Sequence, residues 1–318
     1  MNFRHLSPNV RGALFALGAF SVFSSHDVLV KLLGGTYSPI QVVFFSVLFS
    51  FPILTLLLVR SKTESHMRPK HPWWSLARAI AAIITGFCAF TAFSLLPLAQ
   101  TYALLFATPL LITVLSIPML GEKVGTHRWI AVIVGLIGVI VVLRPGSAPF
   151  SAGHLAGLLA ACGSATASII VRKIGQEERS SVLILFPLLG NVMVMGALLP
   201  SVYKPMPIEH LGALAAIAVL SITATSFIIF AYRTGEAAVV APMQYSQIIW
   251  ASLFGWLFFS EVPDIATVVG AGIVIASGMY IVVREGGARS DDNQPVLSTK
   301  TRYETGTYPR VSSLMEDE

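Results

Sequence analysis

Asp27 and Lys31 stand four residues apart inside an apolar run, with His26 beside them. A carboxylate at such a depth can hold a proton or a substrate ammonium group, and a charge placed there normally faces protein or a water-filled cavity. The four-residue spacing puts Asp27 and Lys31 on one helical face, while His26 is rotated by about 100° from Asp27. Two outcomes stay open for the acid: a coupling or substrate role, or an ion pair with Lys31, whose long stem lets the ammonium reach the outer interface. His26, whose residue type can exchange protons, serves either as a coupling group or as a packing residue. Arg78, near the start of the third apolar run, either attracts an anionic group through charge-assisted hydrogen bonds or snorkels to the inner interface.

A second set combines amides with aromatic rings. Gln100, Tyr102, Phe106 and Pro109 lie on the fourth run, and Gln244, Tyr245, Gln247 and Trp250 on the ninth. The amides offer hydrogen bonds without the cost of a full charge, and the rings can stack on an organic group. Asn191 is a further lining candidate. The mixture suits an organic compound with ring or alkyl surface and polar atoms. An inorganic-ion filter would need dense rings of oxygen ligands or like charges. Pro109 and Pro242 remove helical hydrogen bonds, which gives either hinges or static kinks.

Long apolar elements must position these residues. The chain has 318 residues, 55% of them hydrophobic and only 12% charged, with a mean hydropathy of +0.76. A soluble domain carries about 25% charged residues, so a soluble shell is excluded, and two soluble domains would worsen the shortage. Crossing a bilayer takes about 20 apolar residues per helix. Ten candidate spans result: 12–32, 38–59, 74–95, 98–119, 127–144, 154–172, 181–203, 211–231, 237–259 and 264–283. Pro97 and the pair Gly235 and Glu236 mark the shortest turns. Continuous rather than alternating apolar segments exclude a β-barrel. The basic N-terminus imitates a secretory signal, but its apolar run is long enough to span. With the N-terminus inside, 18 of the 21 Lys and Arg residues are cytoplasmic, and only Lys31, Arg144 and Lys204 fall outside. That bias predicts cytoplasmic termini. It also opposes nucleic-acid binding, which needs a basic stripe on one folded face.

The fourth and ninth spans align when each ends at an acid, Glu122 and Glu261, and Gly138 and Arg144 match Gly278 and Arg284. These offsets of 139 and 140 residues divide the membrane portion into two five-helix halves, at 12–144 and 154–284, joined by 145–153. An odd number of helices per half inverts the second half relative to the first. The expected fold is therefore an all-α polytopic membrane protein with ten transmembrane helices in two inverted five-helix repeats. A cytoplasmic segment, 1–11, precedes them and a polar, flexible tail, 285–318, follows.

PLAQTYALLFATPLLITVLSIPMLGE at 97–122 and GLIGVIVVLRPG at 135–146 are echoed by APMQYSQIIWASLFGWLFFSE at 241–261 and GAGIVIASGMYIVV at 270–283. Together with HDVLVKLLGG at 26–35 and QVVFFSVLF at 41–49, these segments resemble the drug/metabolite transporter superfamily, in particular its EamA-type ten-helix members. The resemblance covers roughly residues 10–285. One branch of that family often carries Arg where Ser46 stands, so a role for that arginine does not transfer. The resemblance implies a secondary carrier in a bacterial-type cytoplasmic (inner) membrane, exporting a small organic metabolite or amphipathic compound by alternating access. It also implies that the fifth and tenth helices lie away from the central path. Gly135, Gly138, Gly270 and Gly278 permit close contacts there, for scaffolding or a homodimer, and membrane lipids cover the rest. Proton coupling is the expectation attached to Asp27 and His26. A lipid or lysolipid translocase, a nontransporting membrane enzyme or scaffold, and a channel are the rival readings. No nucleotide loop, catalytic acid pair or Cys/His metal cluster is recognisable, and Cys88 and Cys162 lie in apolar runs, so neither enzyme chemistry, a cofactor nor a metal is expected.

Overall fold

A computed structural model describes residues 8–60, 69–122, 124–144, 150–174, 177–178, 180–234 and 237–287. The tail beyond 287, most of the 145–153 connection and the first seven residues, all assigned roles above, lie outside the described residues. The architecture is all-α: α1 Pro8–Gly34, α2 Pro39–Arg60, α3 Pro72–Leu95, α4 Leu98–Leu105, α5 Thr108–Leu120, α6 Thr126–Leu143, α7 Ala152–Ile174, α8 Ser180–Leu198, α9 Ile208–Thr234, α10 Ala237–Val240, α11 Gln247–Phe259 and α12 Ile265–Gly287. The helices α2 and α3 open on proline, whose missing N–H and fixed φ suit the first helical turn. Among the described residues, seven spans are long and apolar enough to cross a membrane, counting Leu98–Leu120 as one, and Pro39–Ile53 and Ile265–Ile281 are shorter apolar helices. The protein is a polytopic membrane protein.

Two spans are broken. α4 ends at Leu105, four residues before Pro109, because the proline ring has no N–H for that carbonyl and clashes with it. Near Pro242, α10 passes into a 3-10 stretch, Ala241–Ser246, before α11 begins. Both spans then end alike. Gly121 and Ser260 adopt the left-handed conformation, with φ of 71° and 53°. The N–H groups of Glu122 and Glu261 reach back to the carbonyls of Ser116 (3.4 Å) and Gly255 (2.9 Å), six residues earlier. The two recurrent acids thus leave their helices with the same local geometry.

Packing is closest between elements far apart in sequence. The broadest contacts are α3 with α7, α1 with α9, and α6 with α12. Small residues allow them, since close backbone approach supplies the dispersion contacts that hold helices together in lipid. A Cβ at Gly163 of α7 would lie 2.5 Å from Thr85 Oγ1 and 3.0 Å from the Ala81 carbonyl oxygen on α3. The α6–α12 seam is tighter: a Cβ at Gly138 would stand 2.8 Å from the Gly270 carbonyl oxygen, and one at Gly270 2.6 Å from the Gly138 carbonyl oxygen.

Candidate functional site

A cavity of about 240 Å³ lies between α1, α2, α3, α4, the start of α5, α7, α8, α9 and the first residue of α11. Among the described residues, α6 and α12 contribute nothing to its lining. Its aromatic lining comes from Phe20 and Phe23 of α1, Phe90 and Phe93 of α3, and Phe106 at the break between α4 and α5, set among aliphatic and small polar residues. Ser46, Ser50 and Thr225 also face it, but each hydroxyl bonds a carbonyl four residues earlier in its own helix. Those walls therefore present little free polarity.

The polar centre is built on α1 and α4. Asp27 is 8% exposed. Its Oδ2 accepts the Tyr102 hydroxyl, and its Oδ1 lies 2.8 Å from His26 Nδ1, which donates when that nitrogen carries the proton. Ser24 Oγ and Gln247 Nε2 each lie 3.4 Å from the Tyr102 oxygen, so α1, α4 and α11 converge on one phenol. The His26 ring meets Phe90 edge-on at 6.1 Å. Each carboxylate oxygen keeps a further lone pair for a ligand. The side chains lining the cavity include one carboxylate and one imidazole and, among the described residues, neither lysine nor arginine.

Asn191 of α8 and Thr108 at the start of α5 also line the cavity, and their buried Oδ1 and Oγ1 have no partner among the described residues. Asn191 spends its amide nitrogen on the Pro187 carbonyl at 3.0 Å, which leaves its acceptor oxygen aimed away from its own helix.

Of the two outcomes left open for Asp27, the ion pair with Lys31 does not form. Lys31 Nζ instead lies 2.7 Å from Glu261 Oε1 and donates to the Leu96 carbonyl, while Glu261 Oε2 accepts the Leu98 N–H at 3.1 Å. Glu261 offers Lys31 a full countercharge at the helix end, and also satisfies an orphan amide at the start of α4. At the other end of the bundle Arg172 of α7 pairs with Glu122. The two ion pairs occupy corresponding places: each joins the last turn of the first helix of one half to the acid after the fourth span.

Of the remaining candidates, Tyr102, Phe106, Asn191, Gln247, His26 and Asp27 line the cavity, whereas Gln100, Gln244, Tyr245, Trp250, Lys31, Arg78, Pro109 and Pro242 do not. Gln100 Nε2 lies 2.9 Å from His154 Nε2 and links α4 to α7. Tyr245 is buried and braces Phe106 edge-on at 5.1 Å, and Trp250 packs on Phe254 at 6.0 Å. Arg78 is 4% exposed and donates to the Leu183 carbonyl, so it neither snorkels nor reaches the cavity. Thr108, Ser24 and the four phenylalanines of α1 and α3 were not among the sequence candidates. The hydroxyls at Ser46 and Ser50, and at Ser221 and Thr225, carry a legible signal, small polar residues four apart on one helical face.

Comparison with known proteins gives a consistent picture. The model of the EamA-like transporter family matches the chain twice, at residues 10–144 and 151–283. A pseudopaline exporter, CntI, of Pseudomonas aeruginosa strain UCBPP-PA14 is 28% identical, over 84% of this chain and 94% of that protein. An S-adenosylmethionine uptake transporter of Rickettsia prowazekii strain Madrid E is 27% identical, over 88% of this chain and 95% of that protein. A riboflavin transporter of Rhizobium johnstonii is 28% identical, over 76% and 78%. A crystal structure of a protein 18% identical in sequence shares the fold, with a TM-score of 0.60 over 86% of this chain and 97% of that one.

Proposed function

From the premise that the chain belongs to the EamA-like transporter family, whose members are carriers rather than enzymes, we propose that it moves a small organic metabolite across the inner membrane by alternating access. The reading rests above all on the cavity, which draws its lining from spans of both halves. We read the ten spans as two inverted five-helix repeats, 12–144 and 154–284, with both termini cytoplasmic. Three observations support that reading. The family model matches each half separately. Exchanging the halves maps the α1–α9 contact onto α7–α3 and the α6–α12 seam onto itself. The same exchange maps the Lys31–Glu261 pair onto Arg172–Glu122. Inverted halves that trade conformations expose a central site to one side and then the other, and an ion pair at each end is suited to closing the exits in turn. Export is our reading of direction, in line with the exporter among the relatives.

His26, Asp27, Tyr102, Phe106, Asn191 and Gln247 are the substrate-facing set in this reading, and Gln100, Gln244, Tyr245 and Trp250 belong to the framework around it. Counterflow of labelled metabolites by the purified chain in sealed proteoliposomes tests the carrier. Exchange of preloaded compound establishes it, and a sustained conductance would mark a channel instead.

Two substitutions separate the groups. Tyr102→Phe removes the hydroxyl donated to Asp27 and should slow exchange by about tenfold, the cost of leaving a buried acceptor short of one donor. Gln244→Ala should leave exchange unchanged, and equal slowing of both variants would contradict the division. Coupling is assigned to Asp27, with His26 as its neighbour. Asp27→Asn cannot release a proton, so the rise or fall of wild-type transport across a pH gradient should vanish in it. A preserved pH profile in Asp27→Asn would remove the coupling assignment.

A further inference from the structure

The charge and surface of the cavity bear on what it carries. Among its described lining residues Asp27 is the only carboxylate and His26 the only imidazole. Most of the other lining residues are aliphatic or aromatic, and the hydroxyls of Ser46, Ser50, Thr85 and Thr225 are spent on their own helices. An anion entering this space would meet a carboxylate of like sign with no lysine or arginine on the described walls to offset it, in surroundings where charges are weakly screened. A cation would find a countercharge at Asp27 and, in the same lining, the rings of Phe20, Phe23, Phe90, Phe93 and Phe106, and aromatic rings attract cations most strongly once water is excluded.

A second, independent observation concerns the far part of the same space. Asn191 is 8% exposed and Thr108 1% exposed, and Asn191 Oδ1 and Thr108 Oγ1 have no partner. Leaving a buried acceptor unsatisfied is costly, and a carbonyl oxygen can be satisfied only by a donor. Asp27 and the Asn191 oxygen therefore call for groups that bring positive charge or hydrogen to the protein, while the Thr108 hydroxyl can meet either a donor or an acceptor.

We infer that the cavity takes a small organic monocation, with its cationic nitrogen at Asp27 among the phenylalanine rings and a hydrogen-bond donor elsewhere in the molecule directed at Asn191 and Thr108. The inference rests on the carrier reading and assigns its substrate class. It gives Asp27 a double duty, since a proton and a cation compete for one carboxylate. Outward movement of the cation then accompanies inward movement of a proton, and charge balances one for one.

The test uses the full chain in lipid nanodiscs and in proteoliposomes, at mildly alkaline pH, with three probes that share a ring and a two-carbon chain: 2-phenylethylammonium, 2-phenylethanol and phenylacetate. Thermal stabilisation should reach half its maximum with the ammonium at a concentration about tenfold below that needed with the alcohol, the order expected of one partly desolvated charge pair, and phenylacetate should give none. Asp27→Asn should bring ammonium and alcohol to near equality, and Asp27→Glu, which keeps the charge, should retain the preference. Asn191→Leu should weaken a probe carrying a second donor, tyramine, more than it weakens 2-phenylethylammonium.

Stabilisation by phenylacetate equal to that by the ammonium, no stabilisation by the ammonium, or an undiminished preference in a monodisperse Asp27→Asn protein would each overturn the assignment. Counterflow keeps the two readings apart. Exchange of phenylacetate would overturn the cation assignment and leave the carrier standing, whereas an ammonium probe that stabilises the protein but never exchanges would count against the carrier.

Discussion

Glu261→Gln should lower the thermal stability of the protein sharply, by about 3 kcal/mol. Removing one partner of a buried ion pair leaves the other charge uncompensated, at about 3–5 kcal/mol. The lower figure applies because the Glu261 side chain keeps 22% exposure, although that of Lys31 keeps only 10%. The lysine would retain the Leu96 carbonyl as an acceptor, which cannot neutralise an ammonium. Glutamine can still accept the Leu98 N–H, so the loss isolates the charge from the capping bond. The measurement is the unfolding midpoint in nanodiscs, with Lys31→Met combined with Glu261→Met as the control. Removing both charges together should cost much less than removing one, and equal losses in the two proteins would mean that the pair contributes little beyond packing. Glu122→Gln should act in the same way at the other end, through Arg172. In the carrier reading the two single variants bias the protein toward opposite faces of the membrane.

The second large effect is steric. Gly270→Ala should destabilise by about 3 kcal/mol, near the upper range for overpacking. The added Cβ would stand 2.6 Å from the Gly138 carbonyl oxygen and 3.0 Å from the Val142 backbone nitrogen, and neither atom can swing away as a side-chain tip can. Relief would require α6 and α12 to separate along their whole contact. Gly272→Ala, two residues further along α12, is the matched control, since a Cβ there meets nothing within 4 Å. Its midpoint should not fall. A tolerated Gly270→Ala would show that the seam is plastic.

Much of this architecture is legible in the sequence because lipid imposes a length and an apolar composition on every span. The acids that end the fourth and ninth spans and the glycines that match between the fifth and tenth are legible for the same reason, since each helix must end at the interface and pack closely within it. Partners across the bundle are another matter. A lone helix displays only neighbours three and four residues away, so Lys31 reads as the partner of Asp27, whereas its countercharge Glu261 sits on a distant stretch of chain. Facing is also lost where a helix breaks. Through Ala241–Ser246 the backbone winds at about 120° per residue rather than 100°, so a helical wheel drawn through Gln244 and Tyr245 places them wrongly, while Gln247, at the start of the regular α11, reaches the cavity. Thr108 escaped notice because a single threonine beside a proline looks like an ordinary helix start.

The interlocking of the halves also has a consequence for biogenesis. Every one of the broadest contacts, α3 with α7, α1 with α9 and α6 with α12, joins a helix of the first half to one of the second. When α6 has left the ribosome, the faces of α1, α3 and α6 that these contacts cover are still bare. Synthesis of the remaining membrane helices, at about 5–20 residues per second, takes roughly 10–30 s. During that interval these surfaces meet lipid and any other helix in the bilayer until α7 covers α3, α9 covers α1 and, last, α12 covers α6. An unfinished bundle is therefore most open to mispairing before the later helices arrive.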